Sequence, residues 1–158
     1  MSSFSGFPSE SSQTIVKNDG FWPDLALADF QALYRLPRDY TDALLADHVG
    51  LAMLWANRQL EAWKAEKVVA GYATLADVPA ALQGGSLGQD TASLLFYRRA
   101  VFCHAKALLL PQFATINRRE AAKNEAKESP EYRENFLASA EQAIADLLGH
   151  GRVDVELI

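Results

Sequence analysis

Residues 41–69 read TDALLADHVGLAMLWANRQLEAWKAEKVV, and no other stretch keeps helical spacing for so long without a glycine–proline interruption. Leu45, Val49, Ala52, Ala56, Leu60 and Trp63 recur at steps of three and four, which draws one apolar stripe down a rod of period 3.6. Leu44, Leu51, Trp55 and Val69 form a second stripe roughly 100° away, and Met53 and Leu54 fall outside both. Between Val49 and Ala56 the rod is apolar almost all round, which requires neighbours on several sides, from this chain or from another copy. At about 1.5 Å per residue it would be on the order of 40 Å long. Leu54 and Arg58 point away from both stripes.

Upstream, Pro37 closes a short helix running from about Asp24 to Arg35, with Asp24 as a candidate cap and Leu25, Phe30, Leu33 and Tyr34 as its apolar side. Asp39 is placed to N-cap the long helix, and Asp42 lies in its first turn, where its charge suits the helix dipole. Gly71 is placed to end it in a left-handed cap. Phe21, Trp22 and Pro23 mark an anchored turn whose aromatics plug a core or an interface. Residues 1–19 hold too few large apolar groups to offset ordering entropy and read as a mobile arm, within which Thr14, Ile15 and Val16 could pair with a sheet edge.

Downstream, Pro79 and the glycines at 84, 85 and 88 argue for a loop from Tyr72 to Gln89, with Leu75, Ala76 and Val78 tucked under the helices. A third helix is expected from Asp90 to Leu110, ending before Pro111, with Leu94, Tyr97, Val101, Ala105 and Leu108 on its main face. Asn117 to Glu128 alternates charges of both signs and reads as a solvated face. Ser129 and Pro130 mark the start of a fourth helix carrying Phe136, Leu137, Ala140, Ile144, Leu147 and Leu148, which stops at Gly149. Val153, Val155 and Leu157 then alternate with Asp154, Glu156 and Ile158, a strand pattern without a partner in the chain. The expected fold is all-α: a helical bundle with one long central helix, an extended N-terminal arm over 1–19, a helical domain over 20–150 and a C-terminal extended or β-strand tail over 151–158.

The chain has 158 residues, 49% hydrophobic and 22% charged, enough for one domain with a real core. Its 15 Lys and Arg against 20 Asp and Glu leave a net charge of -5, so no global attraction to nucleic acid or anionic lipid is expected. Residues 1–12 contain six serines and no Lys or Arg, unlike a signal peptide, so export is not expected. Arg98, Arg99 and Lys106 interrupt the most apolar window, Leu94 to Leu110, so no membrane span or membrane partner is expected.

Candidates for chemistry are few. The lone Cys103 rules out an intrachain disulfide. Cys103 and His104 are adjacent on a helix, so their side chains diverge by roughly 100° and make a poor thiolate–imidazole pair. His48, His104 and His150 belong to no metal-binding motif, and no nucleotide-binding or hydrolase glycine motif is present. Glu131, Glu134 and Glu141 lie on a side of the fourth helix expected to be solvated, unsuited to acid–base catalysis. No enzyme activity, cofactor or metal is expected. An unpaired strand edge over Arg152 to Ile158 is a device for joining proteins. A small DNA-binding subunit, terminase-like or regulatory, is the alternative; it would have to use Arg98, Arg99, Arg118 and Arg119.

Four pieces of the chain resemble the phage head completion protein family known as GPL. They are Phe21-Trp22-Pro23-Asp24, then Ala70-Gly71-Tyr72 with Leu75-Ala76-Asp77-Val78-Pro79-Ala80, then Phe96-Tyr97-Arg98-Arg99-Ala100-Val101, and the apolar C-terminal tail. The resemblance implies a structural subunit of the head-to-tail connector: an adaptor ring, usually of twelve copies, under the portal protein. Such a ring extends the DNA channel, lets the genome pass without sequence-specific binding, and offers a face to the next neck or tail protein. It places the protein in the virion and, during assembly, in the host cytoplasm. On this reading Arg152, Val153, Asp154, Val155, Glu156, Leu157 and Ile158 are expected to dock to the portal or a neighbouring subunit. Leu54, Arg58, Phe21, Trp22, Leu75 and Val78 are expected at subunit interfaces.

Overall fold

A computed structural model describes residues 12–37, 39–116 and 122–149, with side chains for all of these except 113–116 and 122–131. The chain is mostly helical. Strand β1 (Ile15–Val16) pairs antiparallel with β2 (Leu25–Ala26), and helix α1 (Leu27–Tyr34) follows directly. Helices α2 (Asp42–Gln59) and α3 (Glu61–Val69) come next, then two 3-10 turns, Leu75–Asp77 and Ala80–Gln83. A two-residue hairpin of β3 (Ser86–Leu87) and β4 (Asp90–Thr91) leads into α4 (Ala92–Ile116), and α5 (Ala122–Leu147) returns along it.

Two helices replace the single rod expected over 41–69. Leu60 leaves helical geometry at φ −105° and ψ 8°, yet its N–H still donates to Ala56 O and its carbonyl still accepts from Lys64. No glycine or proline marks the break; Leu60 is fully buried at the corner. The halves differ in role, because α2 buries six residues whereas α3 buries none. Thr41, not Asp39, caps α2: its side chain accepts from the Leu44 N–H at 3.2 Å. Gly71, at φ +102°, ends α3 as expected. The Tyr72 N–H reaches Lys67 O and the Gly71 N–H reaches Val68 O, the paired bonds of a Schellman motif.

The central element is α4. It packs most extensively on α5 and next on α2, and also touches α1. Tyr97, Ala100, Val101, Phe102, Cys103, Ala105, Ala107 and Leu109 are buried along it. Contrary to expectation it does not stop before Pro111 but continues to Ile116 with the proline inside. The missing N–H of Pro111 leaves the Ala107 carbonyl without its helical donor. Helix α5 likewise begins at Ala122, upstream of Ser129 and Pro130. On its described part, Ala140, Ala143, Ile144 and Leu147 face the core.

Residues 12–19, expected in a mobile arm, are instead tied along α2 and α3. Ser12 and Thr14 hydroxyls donate to Asp42 at the start of α2, at 2.6 and 2.9 Å. Further along, Asn18 meets Asn57, and Asp19 meets Lys64. Positions 42, 46, 53, 57 and 64 share one side of the rod. The strap over that side explains why Met53, off both apolar stripes, is only 3% exposed. The β-prone run finds its partner within the chain, at β2. Asp24 does not cap α1, whose N-cap is Ala26; it takes the Asn18 N–H and pairs with Lys17. The arm before residue 12, the charged run over 117–128 and the expected tail strand over 153–158 lie outside the described backbone or side chains.

Candidate functional site

The sequence pieces around Phe21 and Leu75 converge at one end of the molecule. Asp19 begins the turn, its Oδ1 accepting from the Phe21 and Trp22 N–H groups at 3.0 and 3.1 Å. Its Oδ2 accepts from Lys64 Nζ at 2.6 Å. Burial alone would raise the Asp19 pKa, but the Lys64 bond and the two backbone donors outweigh it and hold the carboxyl below its ordinary value. Trp22 is thereby inserted between Trp63, at 5.6 Å, and Tyr97, at 4.7 Å and nearly parallel. The Leu75 N–H donates to Phe21 O at 2.9 Å, joining the two pieces through backbone.

The loop after α3 is rigid for local reasons. Thr74 and Asp77 exchange side-chain and backbone bonds in a capping box around the first 3-10 turn. Gln83, buried, donates to both Leu75 O and Val78 O. An open groove of about 520 Å³ runs between the pieces, walled by Trp22, Asp24, Leu75, Thr91 and Leu94. The Trp22 Nε1 is buried without a hydrogen-bond partner among the described residues. Among the described residues that line the groove, Asp24 is the one ionisable group.

The expected interface residues separate into two sets. Phe21, Trp22, Leu75 and Val78 are 2–4% exposed inside this chain's own core, so their side chains are not available to a neighbouring subunit. The aromatics plug the core, because α3 and α4 supply rings for them to stack on. Leu54 and Arg58 do lie on the surface, on the side of α2 away from α4. Leu51, assigned to an apolar stripe, joins them at 50% exposure. Arg152 to Ile158 lie outside the described residues.

Over residues 16–158 the chain matches the phage head completion protein (GPL) family. It belongs to that family. A curated "Probable head completion/stabilization protein" of Haemophilus phage HP1 (strain HP1c1) is 26% identical over 155 residues, covering 98% of this chain and 99% of the relative. The "Head completion/stabilization protein" of Escherichia phage P2 is 27% identical over 105 residues, covering 66% of this chain and 60% of the relative. No solved structure matches. As a member of the head completion family, the chain has a structural role in the virion.

The remaining chemical candidates have packing roles. Cys103 is buried, and burial pushes its thiol pKa up, away from reactive thiolate. It lies 3.5 Å from the Tyr34 hydroxyl. The His104 ring stacks on Trp55, centroids 4.2 Å apart. Among the described residues no cluster of three or more His, Cys, Asp or Glu is arranged for a metal. No described helix is long and apolar enough to cross a membrane. Arg98 sits 4.0 Å from Asp90, so its charge is partly answered within the chain, and Arg118 and Arg119 lie outside the described residues.

One polar constellation went unforeseen. Asn18 Nδ2 donates to the Tyr97 hydroxyl at 2.7 Å, the hydroxyl donates to Asn57 Oδ1 at 2.7 Å, and Asn57 Nδ2 donates to Asn18 Oδ1 at 2.9 Å. This closed ring ties the N-terminal strap to α2 and α4. Asn57, polar beside Ala56 where the apolar run from Leu51 ends, was its one signal in the sequence.

Proposed function

We propose that this head completion protein forms a ring-shaped adaptor, of twelve copies, beneath the portal protein of the DNA-filled head, and that it extends the channel and offers a docking face to the next neck or tail protein. The observation that carries the reading is family membership over nearly the whole chain. A helical body with large apolar side chains on its surface is compatible with it: Leu33, Leu51, Leu54, Val69, Leu82 and Leu87 are 50–88% exposed in the single subunit.

Subunits related by rotation meet through heterologous contacts, which close into a ring when the rotation divides the circle. The exposed residues of α2, Leu54 and Arg58 among them, serve these contacts. Residues 152–158 dock to the portal or to an adjacent subunit, adding main-chain hydrogen bonds to a sheet edge. The net charge of -5 keeps passing DNA from sticking to the lumen. Co-sedimentation of the purified chain with DNA-filled heads that lack it tests the reading: saturable binding is expected, and binding that is absent or equal on heads without portal would contradict it.

A further inference from the structure

We infer that α2 carries a two-fold, self-complementary face through which two copies of the free protein pair antiparallel. Asp47, Leu51, Leu54 and Arg58 are all exposed and lie within a strip about 60° wide on the side of α2 opposite its buried residues. Leu51 and Leu54 are 50% and 55% exposed. Neither Asp47 nor Arg58 has an ion-pair partner among the described residues.

The strip reads the same in both directions with its charges inverted. Asp47 and Arg58 are equally far from the midpoint between Ala52 and Met53, and so are Leu51 and Leu54. In an antiparallel pair centred there, each Asp47 faces the other copy's residue 58 and each Leu51 faces the other copy's residue 54. Two opposite-charge pairs then flank a four-leucine centre, with the charges about 16 Å apart along the axis.

Gly50 is an independent sign of a close neighbour. A glycine inside a helix costs about 1 kcal/mol relative to alanine, yet a Cβ placed on Gly50 would meet nothing within 4 Å. Packing within the chain therefore does not call for a glycine. A second helix approaching beside Leu51 and Leu54 does, because a bare backbone admits close contact.

A two-fold contact is isologous and closed, so it cannot propagate. It holds the free protein as a pair and covers the apolar strip until ring neighbours replace the partner. The pairing stands whether or not the ring forms.

Sedimentation equilibrium of the full chain at low salt tests it. The wild type is expected as a dimer. Asp47→Arg and Arg58→Asp each place two like-charge pairs in the interface and are expected to weaken dimerisation by about tenfold or more. An equimolar mixture of these two variants restores both attractive pairs and is expected to form a heterodimer of wild-type strength. Gly50→Leu improves helix propensity, so it separates folding from pairing: a monomer with undiminished thermal stability is expected. A monomeric wild type, a mixture no tighter than either variant alone, or a Gly50→Leu protein that still dimerises would each overturn the inference.

Discussion

The indole of Trp22 lies flat on the phenol ring of Tyr97, centroids 4.7 Å apart and planes 3° from parallel. This contact joins the N-terminal turn to the central helix α4, and Trp63 closes the other side. Trp22→Ala should lower stability by about 3–5 kcal/mol through cavity formation and lost stacking. Thermal unfolding followed by circular dichroism measures it, and a loss below about 1 kcal/mol would mean that the stack does not anchor the core.

Tyr97→Phe keeps the ring on Trp22 but opens the hydrogen-bonded circuit of Asn18, Tyr97 and Asn57. Asn57 loses the hydroxyl donor and Asn18 loses an acceptor, so a loss of about 1–3 kcal/mol is expected. Because the three residues act as one network, Asn18→Ala added to Tyr97→Phe should cost less than the two losses summed. Additive losses in a double-mutant cycle would deny the coupling.

Asp19 sets one acid limit. Its folded pKa lies below the ordinary 3.8, so the unfolded chain takes up its proton first as pH falls. The stabilisation is fully present above about pH 3.8 and is lost as pH drops through the lower folded value. Urea unfolding between pH 5 and pH 2 should show this slope in the wild type and a shallower one in Asp19→Asn. Equal slopes would remove Asp19 from the acid response.

His104 acts at higher pH. Burial lowers its pKa from the ordinary 6.5, with the Glu141 charge opposing, and the ring stacks on Trp55. The unfolded chain therefore binds the proton first, and stability falls as pH drops below about 6.5 until the folded ring also protonates. His104→Phe preserves stacking and removes the titration. Its stability should vary less than that of the wild type just below pH 6.5, and an unchanged profile would show that His104 is not responsible.

Deleting Arg152 to Ile158 bears on the proposed docking tail. These residues follow Leu148, the last described residue packed on the core, so the truncated chain is expected to fold with its melting temperature within a few degrees of wild type. Binding to portal-containing heads should be lost. Full binding by the truncated chain would move the docking surface elsewhere on the molecule.

Periodicity made the helices legible, because burial of one face leaves a 3.6-residue pattern that α2, α4 and α5 all keep. It could not locate the corner at Leu60, since a buried leucine has the same spacing whether the rod is straight or broken. Nor could it show that Pro111 and Pro130 lie inside helices, where packing of α4 along α5 overrides the local preference to stop. The sequence left Phe21 and Trp22 between core and interface, because Trp63 and Tyr97, the stacking partners of Trp22, lie far along the chain. Met53 stands off both stripes yet is buried, on the side where the strap of residues 12–19 runs. Leu54 and Arg58 were legible as surface because they stand opposite the apolar stripe, a property of the helix alone.

Native mass spectrometry of purified portal protein mixed with this chain is the most direct test of the adaptor ring. A discrete complex of one portal assembly with twelve copies of the chain is expected. A portal spectrum unchanged by excess chain, or a graded series of substoichiometric adducts, would contradict it.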